Sequence, residues 1–381
     1  MTFCEPQLVL PETSIVSGSR TQPGSFQAPA QSISLADVLH TVPPLLPAVC
    51  STAMTALLAT SSSLRCLVRE HVSSIAITID FDTHNQLPEL QSLVNGSWPR
   101  LQRLSLTSGC GASFEPLIFR DLCSESWIYL ARLDLSIHSL QTKAMSQLVS
   151  GTWPALKCLN LSHHKLGTAA IAQLAADWTL EELQLTGNSI KVEAMTQLVQ
   201  CKWSNLKQLK LDRNSLGADA MAVLAEVRWP LQKLDLGYND LHETWSMPNL
   251  AKGRWPSLTM LVLAGNSIGR PGVAALSQAN WPHLESLDLS TCHLAGGDTV
   301  DLCRTHWPKL TYLNLANNRL NAAAMVFLVD ADWPALRCLS LAGNKMGPIG
   351  VKAIRYNYWC NMEDLDLTDI EYEEPRLGMQ C

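Results

Sequence analysis

Few residues in this sequence have the type and spacing that catalysis or metal binding requires. The phosphate-binding patterns GxxxxGK[ST] and GxGxxG and the zinc-binding pattern HExxH do not occur in it. His163 and His164 are adjacent in a loop after a strand-like segment, where neighbouring side chains diverge and do not share one metal ion. Arg213 stands in a similar loop, and a lone loop arginine is usually a solvated surface charge. We therefore predict that the protein is not an enzyme and holds no metal ion or cofactor.

The composition limits the partners that this chain can take. Of its 381 residues, 47% are hydrophobic, which is enough for a large core. The 28 Lys and Arg against 34 Asp and Glu leave a net charge of -6, without the positive surface that nucleic acid requires. No run approaches the ~18 consecutive apolar residues of a membrane span, and the first residues do not resemble a secretory signal. We expect a soluble protein of the cytoplasm or nucleus that binds neither nucleic acid nor membrane, with its twelve cysteines reduced and mostly buried.

The sequence repeats itself, and its tryptophans mark the period. Eleven of the twelve recur at intervals of 25 to 29 residues, most of them 26, and only Trp245 is out of phase. The regularly spaced ones are Trp98, Trp127, Trp153, Trp178, Trp203, Trp229, Trp255, Trp281, Trp307, Trp333 and Trp359. Each stands between the exit of one predicted helix and the next predicted strand, so we expect the rings to pack in a row rather than to bind a ligand.

A fixed motif follows each tryptophan, as in WPSLTMLVLAGNSIGRPGVAALSQAN from Trp255 and WPKLTYLNLANNRLNAAAMVFLVDAD from Trp307. Its x-L-x-L-x part alternates apolar and polar residues, which predicts a half-buried strand. Its second half has apolar residues at helical spacing, which predicts a helix. The motif resembles the leucine-rich repeat, L-x-x-L-x-L-x-x-N/C-x-L, over about three quarters of the chain. The resemblance implies an α/β solenoid, or horseshoe, like that of ribonuclease inhibitors, with a parallel sheet on the concave face and helices on the convex face.

One column of the repeat holds asparagine. Its members are Asn188, Asn214, Asn239, Asn266, Asn318 and Asn344. An inward-pointing asparagine can hydrogen-bond the backbone of its own turn and of the next one, which satisfies groups that would otherwise be buried unpaired. Cys292 replaces it once, and His138 and His164 stand there in earlier repeats. We therefore expect the ladder of asparagines to be least regular near the N-terminus.

The N-terminal segment departs from the regular repeat. Residues 1–34 are rich in Pro, Ser, Gln and Gly, which predicts a disordered tail. Residues 35–71 turn apolar and predict two or three short helices that cap the solenoid. Within them, LPAVCSTAMTALLATSSSLRCLVRE also resembles the latter part of an F-box, although the opening Leu-Pro-x-Glu run and the late Trp are missing. The leucine-rich repeat domain would then span 72–381, with about twelve repeats and twelve parallel strands, the first at 75–80.

The fold implied by the resemblance suggests three functions. The first is a non-catalytic protein-protein interaction scaffold that binds a macromolecular partner on the concave face. The F-box-like segment implies a substrate receptor that docks on the adaptor of a cullin-type ubiquitin ligase, and enzyme-regulating leucine-rich proteins suggest a regulator of a GTPase or nuclease.

The outward strand positions can be read column by column to find the partner's site. The N-terminal half is polar and includes Arg103 and Arg132, whereas later strands carry an apolar patch with acidic neighbours. Aromatic or methionine anchors ringed by polar groups are typical of binding hot spots. We predict that the partner contacts Asp235, Tyr238, Met260, Val262, Asp288, Tyr312 and Asn314.

Overall fold

The structure, a computed structural model, divides the chain into two compact units, Met1–Pro43 and Pro44–Cys381. It describes residues 48–50, 72–79, 98–108, 116–124, 127–136, 142–174, 178–355 and 361–370, all of them in the second unit. The tail predicted for 1–34 and most of the cap predicted for 35–71 lie outside the described residues, as does the F-box resemblance apart from residues 48–50.

A parallel sheet of thirteen strands runs through the second unit, and each strand pairs with the next one in the sequence. The strands are β1 (Ala48–Cys50), β2 (Ser74–Ile79), β3 (Arg103–Ser108), β4 (Arg132–Asp134), β5 (Cys158–Asn160), β6 (Glu182–Gln184), β7 (Gln208–Lys210), β8 (Lys233–Asp235), β9 (Met260–Val262), β10 (Ser286–Asp288), β11 (Tyr312–Asn314), β12 (Cys338–Ser340) and β13 (Asp364–Asp366). The twelve predicted repeat strands are β2 to β13, and β1 is an additional strand in the segment where short helices were expected. The free edge of β2 offers unpaired backbone groups, and β1 pairs with them.

Helices alternate with the strands from β3 onward. They are α1 (Pro116–Ser124), α2 (Thr142–Ser150), α3 (Thr168–Gln173), α4 (Val192–Leu198), α5 (Ala218–Ala225), α6 (Ser246–Leu250), α7 (Gly269–Leu276), α8 (Thr299–Cys303), α9 (Ala322–Val329) and α10 (Gly347–Arg355). Because connections between neighbouring parallel strands take one hand, these helices all lie on the same side of the sheet. The architecture is the predicted α/β repeat solenoid.

The core of each repeat lies between its strand and its helix. In the repeat of β7, Leu209 and Leu211 are fully buried, whereas Gln208 and Lys210 on the other face of the strand are half-buried. Met221 of α5 is also fully buried. The alternation follows from the two-residue period of a strand, which turns every second side chain toward the helices.

The regularly spaced tryptophans fill the space between successive repeats. Nine of the eleven are buried, Trp178 is half-buried, and Trp359 lies outside the described residues. The rings of Trp255 and Trp281 stack with their centroids 6.4 Å apart. The prediction of a packed row is confirmed for the buried rings, while the out-of-phase Trp245 is 69% exposed.

The asparagine ladder is present, but its direction differs from the prediction. The Oδ1 atom of Asn266 accepts hydrogen bonds from the backbone N–H groups of Asn239 (3.0 Å) and Leu241 (3.1 Å) in the preceding repeat. Its Nδ2 atom donates to the carbonyl of Leu236 in that repeat (3.0 Å) and to that of Leu263 in its own (2.8 Å). The N–H groups of each turn point toward the following repeat, so each asparagine serves the turn before it and not the one after it.

Two other residue types occupy the same column. His164 is buried, its Nε2 atom contacts the carbonyl oxygen of Leu135, and its backbone N–H donates to Asn188 Oδ1 at 2.9 Å. The sulfur of Cys292 lies 3.3 Å from the carbonyl oxygen of Leu263. His164 therefore contacts the backbone of the preceding repeat as the asparagines of this column do. Six of the cysteines carry free thiols, three of them buried and three half-buried.

Candidate protein-binding surface

The sheet has one face that the helices of the described ranges do not cover, and we call it the open face. Each repeat presents to it the first and third residues of its strand, with the pattern half-buried, buried, half-buried in most strands. The next outward position follows the second leucine of the motif. The open face is therefore built from three columns of side chains, each running from strand to strand.

Six of the seven predicted partner-binding residues lie on four adjacent strands. Asp235 is on β8, Met260 and Val262 are on β9, Asp288 is on β10, and Tyr312 and Asn314 are on β11. With Tyr238, in the loop after β8, these seven residues form what we call the β8–β11 patch.

The register of the strands sets the spacing within the patch. Met260 pairs with Ser286, which pairs with Tyr312, so Met260 and Tyr312 stand two strands, or about 10 Å, apart. Val262 lies between Asp235 and Asp288 in the next column. Val262 is thus flanked by two carboxylates, while Met260 and Tyr312 lie in the neighbouring column.

The large side chains of this patch are less accessible than the sequence suggested. Met260, Val262 and Tyr312 were expected to be exposed, and all three are half-buried. Neighbouring outward side chains stand only about 4.8 Å apart across the strands and shield one another. Burial, together with the charge of Asp288, raises the pKa of the Tyr312 phenol. The apolar atoms that remain accessible form a flat surface rather than protruding anchors.

Tyr238 differs from the rest of the patch because it stands out from the sheet. Its side chain is 47% exposed, and its backbone has a left-handed φ of 54°. The Arg213 guanidinium carbon lies 4.5 Å from the centroid of its ring, within the range of a cation–π contact. On the other side, a Cβ atom on Gly265 would come within 2.4 Å of the ring, so glycine is needed there for this packing as well as for its φ of +69°. Sequence reasoning treated Arg213 as a solvated charge and missed this contact, although its one-repeat offset from Tyr238 could have signalled it.

Asp235 is the most perturbed carboxyl group of the patch. Its Oδ1 atom accepts a hydrogen bond from the Gly237 N–H at 3.0 Å. Burial raises its pKa to about 6, the charges of Asp212 and Asp288 add to the shift, and the Gly237 bond opposes it. The protonated form is therefore favoured in the folded protein relative to the unfolded chain.

Asp235→Asn tests this electrostatic cost. A carboxyl group whose pKa is raised on folding costs stability as the pH rises through that pKa, and the amide removes the charge while keeping an oxygen for the Gly237 N–H. We expect the variant to be more stable than the parent at pH 8 by roughly 1–3 kcal/mol, with the difference shrinking toward pH 4. Urea denaturation across this pH range measures it. A difference that is the same at both ends would refute the shift.

Charge is distributed unevenly along the open face. In the N-terminal half, Arg132 pairs with Glu182 at 2.9 Å, passing over β5. From β9 to β13, the outward strand positions among the described residues include no Lys or Arg but do include Asp288, Asp364 and Asp366. The C-terminal half of the face is therefore acidic, and it contains most of the β8–β11 patch.

The turn after β9 contains the residue spacing that surrounds the catalytic serine of serine hydrolases, and the sequence-based prediction missed it. Residues 265–269 read GNSIG, which matches the GxSxG pattern of serine hydrolases. Ser267 lies in the turn after β9, beside His242 in a parallel bridge. The His242 ring pairs instead with Thr244 Oγ1 at 3.1 Å, and no hydrogen bond to Ser267 Oγ is found in the described part of the chain. The spacing arises from the repeat motif itself.

The described residues were also compared with the requirements of a metal site and of a membrane-spanning helix. Over the residues that the structure describes, no three His, Cys, Asp or Glu side chains cluster in a way that could hold a metal ion. Within the same ranges, every helix is too short or too polar to cross a membrane.

Comparisons with known proteins agree with this geometry. Residues 334–354 match the family model described as Leucine Rich repeat. The fold is similar to a chain of the yeast Rad7 and Elc1 complex, with a TM-score of 0.55 and 16% identity over 78% of this chain and 80% of that one. An internalin from Listeria monocytogenes has a TM-score of 0.48 and 17% identity over 86% and 90% of the two chains. No curated protein matched in sequence. The second unit of this chain is a leucine-rich repeat solenoid.

Proposed function

We propose that this protein is a non-catalytic scaffold that binds a protein partner through the β8–β11 patch. The observation that carries the proposal is the arrangement of Met260 and Val262 on β9 and Tyr312 two strands away on β11, on the sheet face that the described helices leave uncovered. Methionine and tyrosine in a polar surround are typical of interface hot spots. Tyr238, held upright between Arg213 and Gly265, adds a preorganised aromatic group at the border of the patch.

The charge of the patch specifies the partner further. Asp235 and Asp288 flank Val262, and the outward strand positions that follow bring more carboxylates and no described cation. The complementary surface has an apolar centre with Lys or Arg around it. Because such pairs steer association, raising the salt concentration would slow binding more than it would speed dissociation.

Substitutions within the patch test the proposal on a partner isolated with the full-length chain. Met260→Asp places a carboxylate among the apolar side chains of the β8–β11 patch, and Tyr312→Ala removes the aromatic ring on β11. We expect each to weaken binding by ~2 kcal/mol or more, measured by calorimetry, with little change for Arg103→Ala at the polar end of the same face. If the partner tolerates both patch variants and is lost with Arg103→Ala or Arg132→Ala, its site lies at the N-terminal end and the assignment is refuted.

A substrate receptor of a cullin-type ubiquitin ligase is the second candidate. It rests on the F-box-like segment within residues 35–71, and the similar fold found in the Rad7 and Elc1 complex supports testing it, because that solenoid was crystallised together with a second protein. Purified full-length chain should then bind the ligase adaptor, and Met260→Asp should leave this complex intact because the open face serves the substrate. Absence of a complex at micromolar concentration would exclude this function.

Regulation of a GTPase or nuclease is the third candidate function of this protein. Arg213, the loop arginine that such a role would present, lies over the Tyr238 ring. No described residue therefore favours that function over the scaffold.

A further inference from the structure

A second surface, which is rich in positively charged side chains, lies on the helical side of the solenoid, away from the open face. In three successive repeats the residue before the regularly spaced tryptophan is a cation, namely Lys202, Arg228 and Arg254. None of the other eight regularly spaced tryptophans follows a Lys or Arg. Successive repeats stand about 4.8 Å apart at the sheet, so these side chains form a short row rather than scattered charges.

A cavity opens along this row, where α5 and α6 end. Its volume is about 480 Å³, and its charged lining consists of Glu226, Arg228, Lys252 and Arg254. This volume lies in the range of small-molecule sites. The buried rings of Trp229 and Trp255 anchor the segments that carry the two arginines. Gly253 rests directly on the Trp255 ring, where a Cβ atom would come within 2.4 Å, and so holds Lys252 and Arg254 close to the helices.

The cations of this cavity outnumber the carboxylates that the described residues place beside them. Elsewhere, cations of the repeats pair with carboxylates of neighbouring repeats, as Lys207 does with Glu181 at 2.8 Å and Arg270 with Asp301 at 3.1 Å. Within the described residues, neither Arg228 nor Arg254 has an ion pair. Lys252 donates to the Asn249 side-chain oxygen at 3.1 Å. Three cations and one carboxylate leave the cavity with a charge of about +2, in a chain whose net charge is -6.

The rest of the lining consists of three apolar residues and Asn249. The apolar residues are Ala222 and Ala225 of α5 and the buried Val227, which directly precedes Arg228. A ligand that matches both halves has a flat apolar group and a doubly charged anionic group. A phosphate monoester carries a charge of about -1.5 to -2 at neutral pH, and two guanidinium groups can bind its oxygens in bidentate fashion.

We propose that this cavity binds an aryl phosphate, the chemistry of a phosphotyrosine side chain on a partner protein. The phosphate lies between Arg228 and Arg254 with Lys252 beside it, and the ring packs on Ala222, Ala225 and Val227. The carbonyl ends of α5 and α6 point toward this region and would repel an anion. Binding therefore depends on the cations, which makes their removal a sharp test.

The test titrates the full-length protein with N-acetyl-phosphotyrosine amide and follows the ³¹P resonance of the probe. N-acetyl-phosphoserine amide and inorganic phosphate serve as probes without the ring. We expect the phosphotyrosine probe to bind about tenfold more tightly than either. Arg228→Ala and Arg254→Ala should each weaken it by about tenfold or more, and Arg254→Lys should weaken it less than Arg254→Ala does. Arg319→Ala, which removes an exposed arginine outside the cavity, should change nothing.

Two results would overturn the proposal. Equal affinity for all three probes, or no saturable binding at millimolar concentration, would mean that the cavity does not recognise an aryl phosphate. Unchanged binding in Arg228→Ala and Arg254→Ala, with the fold verified by circular dichroism, would place any phosphate binding elsewhere. If these variants instead lower the melting temperature while the parent binds no probe, the cations serve only the carbonyl ends of the helices.

Discussion

Leu263→Ala is expected to lower the free energy of unfolding by about 2–5 kcal/mol. Leu263 is the second leucine of the β9 repeat and is completely buried between the sheet and the helices. Its own backbone N–H donates to the Asp288 carbonyl at 2.9 Å, so both ends of the residue are held in place. A truncated side chain leaves a cavity that the stacked neighbours cannot close, because each repeat is clamped by the repeats on either side.

Val262→Ala on the same strand is the matched control for Leu263→Ala. Val262 is the last residue of β9 and directly precedes Leu263, but it faces the open side and is half-buried. Its truncation is expected to cost less than about 1 kcal/mol in urea denaturation. Equal losses for the two variants would mean that the inward and outward faces of β9 have been assigned incorrectly.

Asn266→Ala is expected to cost about 2–4 kcal/mol of unfolding free energy. The substitution removes the acceptor of two buried N–H groups, those of Asn239 and Leu241, and a donor to the carbonyls of Leu236 and Leu263. Unpaired buried groups cost more than a hydrogen bond contributes, since they lose water on folding and gain no partner. Amide hydrogen exchange should show faster exchange at Asn239 and Leu241, in the repeat before the substitution.

Asn314→Ala is the control that distinguishes the loss of a buried ladder asparagine from the loss of an asparagine on the open face. Asn314 also accepts a backbone hydrogen bond, from the Ala316 N–H at 3.0 Å, but it is half-buried on the open face. Water can replace that bond, so the expected loss is below about 1 kcal/mol. If exchange instead quickens in the repeat after Asn266, the ladder runs in the opposite direction from the one described.

The sequence by itself determined the fold of the repeats. A strand turns alternate side chains to opposite faces, so L-x-L places Leu209 and Leu211 inside, and the tryptophan spacing places every strand in the same register. The choice of Asp235, Met260, Val262, Asp288, Tyr312 and Asn314 as outward residues of neighbouring strands followed from the same rule. The extra strand β1 could not be foreseen, because it lies outside the repeat pattern and pairs through backbone groups that carry no sequence signal.

Only the tertiary structure decided the remaining features, and in each case the reason is that they join residues of different repeats. The direction of the asparagine ladder depends on which way the turn N–H groups point. The position of Tyr238 depends on Arg213 one repeat before it and Gly265 one repeat after it. The half-burial of Met260 and Tyr312 depends on shielding by adjacent strands, and the cavity at Arg228 and Arg254 depends on where two helices end. A repeat motif specifies contacts within one unit and repeats them, whereas the residues that differ between units interact only after the units have stacked.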